Sequence, residues 1–192
     1  MVRTTMDWNC KLMGEFEYFA VAVPVFENQF AFEVRSSYVK QPGEVSFPGG
    51  RIEAGEEPCL TARRELEEEL GIADVSLLFE LEPLVTPFNY VIFPYVFQLG
   101  DTKVNINPVE VDKVFYAPVD LFLKPHHVSQ VDVVLQPGDD FPYGFLPGGR
   151  NYPWKRGYYR VMFFFYGEHV IWGLTARIAH EAAKRLLKLS ET

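Results

Sequence analysis

Residues 50–72 read GRIEAGEEPCLTARRELEEELGI, and this stretch decides the fold. Its second half predicts a helix over residues 58–70. Pro58 suits a first helical turn, Glu56 and Glu57 lie at the positive end of the dipole, and Gly71 stands where a left-handed C-terminal glycine belongs. Cys59, Ala62, Leu66 and Leu70 share one face, which would pack on a sheet. At about 100° per residue, Glu65, Glu68 and Glu69 fall within an arc of about 100°, with Glu67 pointing away. Like charges on one face repel, and the negative end of the dipole adds to the cost. A run such as Glu67-Glu68-Glu69 alone is ordinarily a solvated face. Divalent cations with oxygen ligands would remove the repulsion, and Mg²⁺ or Mn²⁺ suits carboxylates combined with substrate phosphates.

Outward from this helix, strands dominate. Residues 19–26 (FAVAVPVF) and 29–35 (QFAFEVR) predict a hairpin turning at Glu27-Asn28, followed by a short strand over 44–47. Further strands are expected over 75–84, 91–99, 111–117, 131–135 and 161–166, with a helical turn over 118–124. An amphipathic helix over 173–189 closes the chain, with Leu174, Ile178, Ala182 and Leu186 in one stripe. Two helices far apart in sequence, among many strands, predict an α/β protein whose mixed sheet is covered by a helix on each face. A single domain over residues 1–192 is expected. Residues 137–160 differ in composition, with four Pro, five Gly and seven aromatics. They read as an ordered insertion that packs on itself, faces substrate, or forms a dimer contact.

Bulk composition narrows the function classes. The 192 residues are 48% hydrophobic and 23% charged, as in globular proteins. With 18 Lys plus Arg against 26 Asp plus Glu, the net charge of -8 argues against holding a nucleic-acid polymer through its phosphates. Residues 53–69 carry seven acids and two bases, so -5 of the -8 sits in this one segment. No apolar run reaches the ~18 residues of a membrane span. No signal peptide is apparent, and Cys10 and Cys59 suggest neither disulfide framework nor zinc site. A cytoplasmic protein with reduced thiols and no membrane partner is the expectation.

The spaced pattern Gly50, Glu56, Arg64, Glu65, Leu66, Glu68, Glu69, Gly71 and Ile72 fits G-x5-E-x7-R-E-U-x-E-E-x-G-U at every fixed position, U being a bulky aliphatic residue. On these nine positions the chain resembles the Nudix hydrolases, which cleave nucleoside diphosphates linked to another moiety. The resemblance implies an α/β/α sandwich with a mixed sheet, the motif forming a loop-helix-loop. It also implies that Glu65, Glu68 and Glu69 hold Mg²⁺ or Mn²⁺, with a ligand from the Gly50 or Gly49 carbonyl. Arg64 would orient Glu56 or Glu65; an ordinary i,i+4 surface pair with Glu68 is its other reading. The general base varies within the family, and Glu110, Asp139 and Asp140 are candidates beside the motif glutamates. His126 and His127 read as loop histidines.

The flanks resemble coenzyme A diphosphatases. Residues 35–50 (RSSYVKQPGEVSFPGG) are similar to that subfamily's extra signature, and residues 84–88, 107–111 and 171–177 look like further segments of it. Three departures stand: Lys40 replaces a usual Arg, the spacing before the glycine is one residue shorter, and the motif has the general 23-residue length. Arg35, Lys40, Arg51 and Phe47 are the implied substrate contacts. The resemblance thus implies a coenzyme A-like nucleotide substrate. It leaves open another nucleoside-diphosphate substrate such as ADP-ribose or NADH, or a non-catalytic binding module of the same fold. Nudix proteins are often dimers, so a homodimer is raised beside a monomer.

Overall fold

A computed structural model describes residues 12–190; Cys10 lies outside them. Strands β1 (Glu17–Phe26) and β2 (Gln29–Arg35) form the expected hairpin. Its two-residue turn places Glu27 and Asn28 at φ of 43° and 61°. Two positive φ values give the turn a twist that matches the flanking strands. β3 (Val45–Ser46) and β8 (Val111–Pro118) pair with β2, and β7 (Tyr90–Leu99) runs parallel to β1 from Glu17↔Tyr90 to Val25↔Gln98. β5 (Val75–Glu80) and β6 (Leu84–Val85) pair antiparallel with β7, and β4 (Gly49–Arg51) pairs with β1. The result is an eight-stranded mixed sheet.

Strand alternation gives this sheet two unlike faces. On one, Ala20, Ala22 and Ala31 present small side chains, and helix α1 (Pro58–Leu70) settles on them through Ala62, Leu66 and Leu70. On the other, Val23, Val25, Phe30 and Phe32 pack with helix α2 (Gly173–Ser190) through Ile178, Ala179, Ala182 and Ala183. The α/β architecture with a helix on each face is therefore present. No helix among the described residues is long and apolar enough to cross a membrane.

The structure corrects the sequence reading of the fold in five places. The late strands join a separate three-stranded antiparallel sheet of β9 (His127–Val134), β10 (Arg156–Tyr166) and β11 (His169–Trp172). β9 is exposed on both faces along most of its length, so it carries no hydrophobic alternation to mark its start. His127 opens this strand rather than lying in a loop. Residues 156–160 belong to β10, which shortens the insertion to a hairpin connection over 135–155. That connection does pack on itself, with Trp154 edge-on to Phe141 and Tyr152. Finally, residues 75–84 divide into two strands, separated at Pro83, and β4 is an additional strand.

Candidate active site

The site is built where β4 meets α1. β4 lies against β1 in the register Val21↔Gly49, Ala20↔Gly50, Phe19↔Arg51. A methyl group on Gly49 would come within 2.6 Å of the Ala20 carbonyl oxygen, and one on Gly50 within 2.2 Å of Glu65 Oε1. Glycine at 49 lets the strands close, and glycine at 50 leaves the space that the Glu65 carboxylate fills. The Gly49 N–H donates to Glu69 Oε2 at 3.0 Å. α1 ends on Gly71 in the left-handed region at φ 68°. The Glu69 and Leu70 carbonyls there accept from Asn107 and Asn105, which ties the carboxylate-bearing turn to the loop before β8.

Arg64 organises the outer carboxylates. Its Nε and Nη2 donate to the two oxygens of Glu56 at 2.9 and 3.2 Å, and Nη1 donates to Glu65 Oε1 at 2.7 Å and Glu68 Oε2 at 2.9 Å. It therefore makes both the orienting pairs and the i,i+4 pair. These bonds hold the Glu56 carboxyl below the usual carboxylate range. Glu68 remains half-exposed, whereas Glu65 and Glu69 sink toward the sheet.

The inner acids are different. Burial pushes the carboxyl of Glu65 above the usual range despite Arg64. Burial raises that of Glu69 strongly, with the charges of Glu33 and Glu65 adding to it. Glu33, on β2, is 1% exposed and was not signalled by the motif; a lone carboxylate inside an apolar strand was its only sequence mark. Its Oε1 accepts from Ser46 Oγ, and its Oε2 has no hydrogen-bond partner. Glu110 adds negative potential to Glu33, Glu65 and Glu69, while its own Oε2 accepts from Asn107.

Such a set of buried, underpaired carboxylates on a glycine floor has the donor chemistry of a hard divalent cation site. Among the described residues no three His, Cys, Asp or Glu side chains already form a closed cage. Mg²⁺ commonly needs none, since waters and substrate oxygens complete its shell. Arg64 holds Glu65 and Glu68 in place in the meantime.

The other candidate residues separate. Arg35 lies close enough to Glu33 to favour its ionised form, and its Nε donates to the Lys40 carbonyl. Lys40 is exposed on the turn after β2. Arg51 is paired with Glu17 on the outer side of β1 and lies over the Phe19 ring, so its charge is already partnered. Phe47 corrects the sequence reading: it is 5% exposed and stacks on Phe32 in the core, out of substrate's reach. Asp139 and Asp140 are exposed on the 135–155 connection.

A cleft of about 610 Å³ opens between the two sheets. Arg35 and Ser46 line it, and Phe88, Val133, Trp172 and Leu174 give it apolar walls. Ser46, through its bond to Glu33, links this cleft to the carboxylates.

The profile of the NUDIX domain matches residues 18–136, which take in nearly all of the eight-stranded sheet, α1 and the carboxylates Glu33, Glu56, Glu65, Glu68, Glu69 and Glu110. The chain belongs to the Nudix family. An uncharacterised Nudix hydrolase NudL of Photorhabdus laumondii is 33% identical over 151 residues, covering 75% of this chain and 69% of that protein. The chloroplastic Nudix hydrolase 22 of Arabidopsis thaliana is 34% identical, covering 73% and 44%. The mouse peroxisomal coenzyme A diphosphatase NUDT7 is 35% identical over 132 residues, covering 64% and 56%. The chain thus spans about half the length of these two eukaryotic relatives. Nudix hydrolases generally use divalent metal ions and act on small nucleotide derivatives. In this Nudix chain the motif helix, its glycine strand and its arginine are assembled as one unit.

Proposed function

We propose that this chain is a Mg²⁺- or Mn²⁺-dependent diphosphatase that hydrolyses coenzyme A or its thioesters to 3′,5′-ADP and a 4′-phosphopantetheine derivative. The observation that carries the reading is the carboxylate pair of half-buried Glu65 and buried Glu69, seated on Gly49-Gly50, with Glu65 held by Arg64 and Glu69 by the Gly49 N–H. Support for the substrate comes from the RSSYVKQPGEVSFPGG flank, the coenzyme A diphosphatase among the relatives, and the apolar cleft that Arg35 helps to line.

Glu65, Glu68 and Glu69, with the Gly50 carbonyl, would hold the cation. When bound, it neutralises the diphosphate and acidifies a water that attacks phosphorus. The protein supplies the rest. Arg64 keeps Glu65 and Glu68 turned to one side, the Gly49 N–H fixes Glu69, and β4 prevents the floor from moving. Arg35 offers a positive charge in the cleft for a substrate phosphate. Lys40, on the same turn, extends that charge toward solvent. The apolar walls suit the pantetheine arm, which has no charge to solvate.

The deciding experiment is turnover of a diphosphate panel with Mn²⁺. Coenzyme A should exceed ADP-ribose, NADH and nucleoside diphosphate sugars in kcat/KM. Preference for ADP-ribose overturns the substrate; no turnover of any member with intact metal binding makes the chain a binding module. Arg35→Ala should raise KM for coenzyme A by about tenfold with kcat changed far less, since it removes a ground-state phosphate contact. Size exclusion distinguishes the homodimer from the monomer. Imaging of the tagged full chain tests the cytoplasmic assignment.

A further inference from the structure

Glu33 lies outside the Nudix motif, yet the fold delivers it to the same place. Along β2, Phe30, Phe32 and Val34 face α2, so Ala31 and Glu33 face α1. Register with β3 sets Glu33 opposite Ser46, whose hydroxyl donates to Oε1 at 2.8 Å. Oε2 is buried and unpartnered. The Glu33 and Glu69 carboxyls are close enough that each bears on the other's ionisation, and Glu69 Oε2 already accepts from Gly49.

Among the described residues only the charge of Arg35 bears favourably on this pair, and no donor reaches Glu33 Oε2. Arg64 is fully used by Glu56, Glu65 and Glu68. Arg35 is nearby, but its Nε bonds the Lys40 carbonyl and Glu33 Oε2 receives no donor. Two buried carboxylates side by side need a proton or a cation between them. A structural role would not require the charge, because glutamine has the same shape and could still bond Ser46.

We propose that Glu33 is a further carboxylate ligand of the divalent-cation site, reaching it from strand β2 opposite the motif helix and sharing the cation with Glu69. This rests on the metal-dependent reading above and adds to it a ligand from outside the motif. The site would then draw oxygens from both helix and sheet, so that cation binding clamps α1 to β2. A metal-induced rise in melting temperature is the direct consequence.

The test is a titration of the full chain with Mn²⁺ alone, without substrate, read by the free-ion EPR signal and by thermal melting. Glu33→Gln should weaken Mn²⁺ binding by about tenfold or more, as loss of a charged oxygen ligand does, and should shrink the metal-induced rise in Tm. Ser46→Ala keeps the carboxylate and should leave Mn²⁺ affinity within about twofold of wild type. E33Q binding Mn²⁺ as tightly as wild type overturns the proposal while leaving the Nudix metal site standing. Wild-type protein that binds no Mn²⁺ overturns both. Should E33Q fail to fold, Glu33→Ala is measured in the same way and read by the same two outcomes.

Discussion

Glu69→Gln should lose about a thousandfold in kcat, some 4 kcal/mol of transition-state stabilisation at ~1.4 kcal/mol per decade. The same substitution should raise the melting temperature of the metal-free protein. Both effects follow from one arrangement. Glu69 is 7% exposed, and its charge stands against those of Glu33, Glu65 and Glu110. In the absence of a cation this carboxyl must either carry a buried charge without a counter-charge or take up a proton at a cost, and the donor it has is the Gly49 N–H. Glutamine keeps the acceptor for Gly49 and removes the repulsion. A gain of about 1–2 kcal/mol is the expected order for relieving such a site. For a domain of this length that corresponds to a rise of about 2–8 °C. Differential scanning fluorimetry in EDTA and steady-state kinetics with Mn²⁺ read the two halves separately. A variant that melts below wild type, or retains turnover within about tenfold, removes Glu69 from the role given to it. The expected opposition of stability and activity is the mark of residues kept for chemistry rather than for folding.

The same contrast explains what the sequence discloses. The motif helix is legible in every detail: its cap residues, its apolar face of Ala62, Leu66 and Leu70, and the arginine that collects the carboxylates are all local features. The packing of the long C-terminal helix is legible for the same reason, through its i, i+4 stripe. β4 is not, because Gly49 and Gly50 have no side chains and so no strand preference; only their fit against Ala20 and Val21 makes them a strand. Glu33 escapes notice because a carboxylate in QFAFEVR gives no sign of which face it takes. The hairpin turn and the pairing with β3 decide that. Phe47 misleads in the opposite direction. It sits beside the motif in sequence but is claimed by Phe32 and the core, whereas Arg51, also beside the motif, stays exposed while pairing with Glu17, 34 residues away. The second sheet is hidden because a strand exposed on both faces has no period to read. Local chemistry is written locally, while the choice of face and partner is written in pairings that only the folded chain makes.

Two adjacent glycines then separate folding from function. At Gly50 an added methyl group would meet the end of the Glu65 side chain, at 2.2 Å from Oε1 and 2.5 Å from Cδ. That neighbour can rotate, so the backbone need not move. Gly50→Ala should therefore melt within about 2 °C of wild type, a difference below about 1 kcal/mol. Its kcat should nonetheless fall by about a hundredfold, because Glu65 is driven from its seat and its bond to Arg64 is lost. At Gly49 the methyl group would meet the Ala20 carbonyl oxygen at 2.6 Å and the Val21 Cα at 3.0 Å. Those atoms belong to the central strand and cannot turn aside. Gly49→Ala should push β4 off β1, cost about 1–3 kcal/mol of stability and lower the melting temperature by about 2–12 °C. It should also lose activity, through the Gly49 N–H that holds Glu69. Melting curves and kinetics on the two variants side by side provide the comparison. If Gly50→Ala retains wild-type turnover, the placement of Glu65 against the glycine floor is not part of the catalytic geometry. If Gly49→Ala melts as wild type does, β4 is not the fixed floor on which that geometry depends.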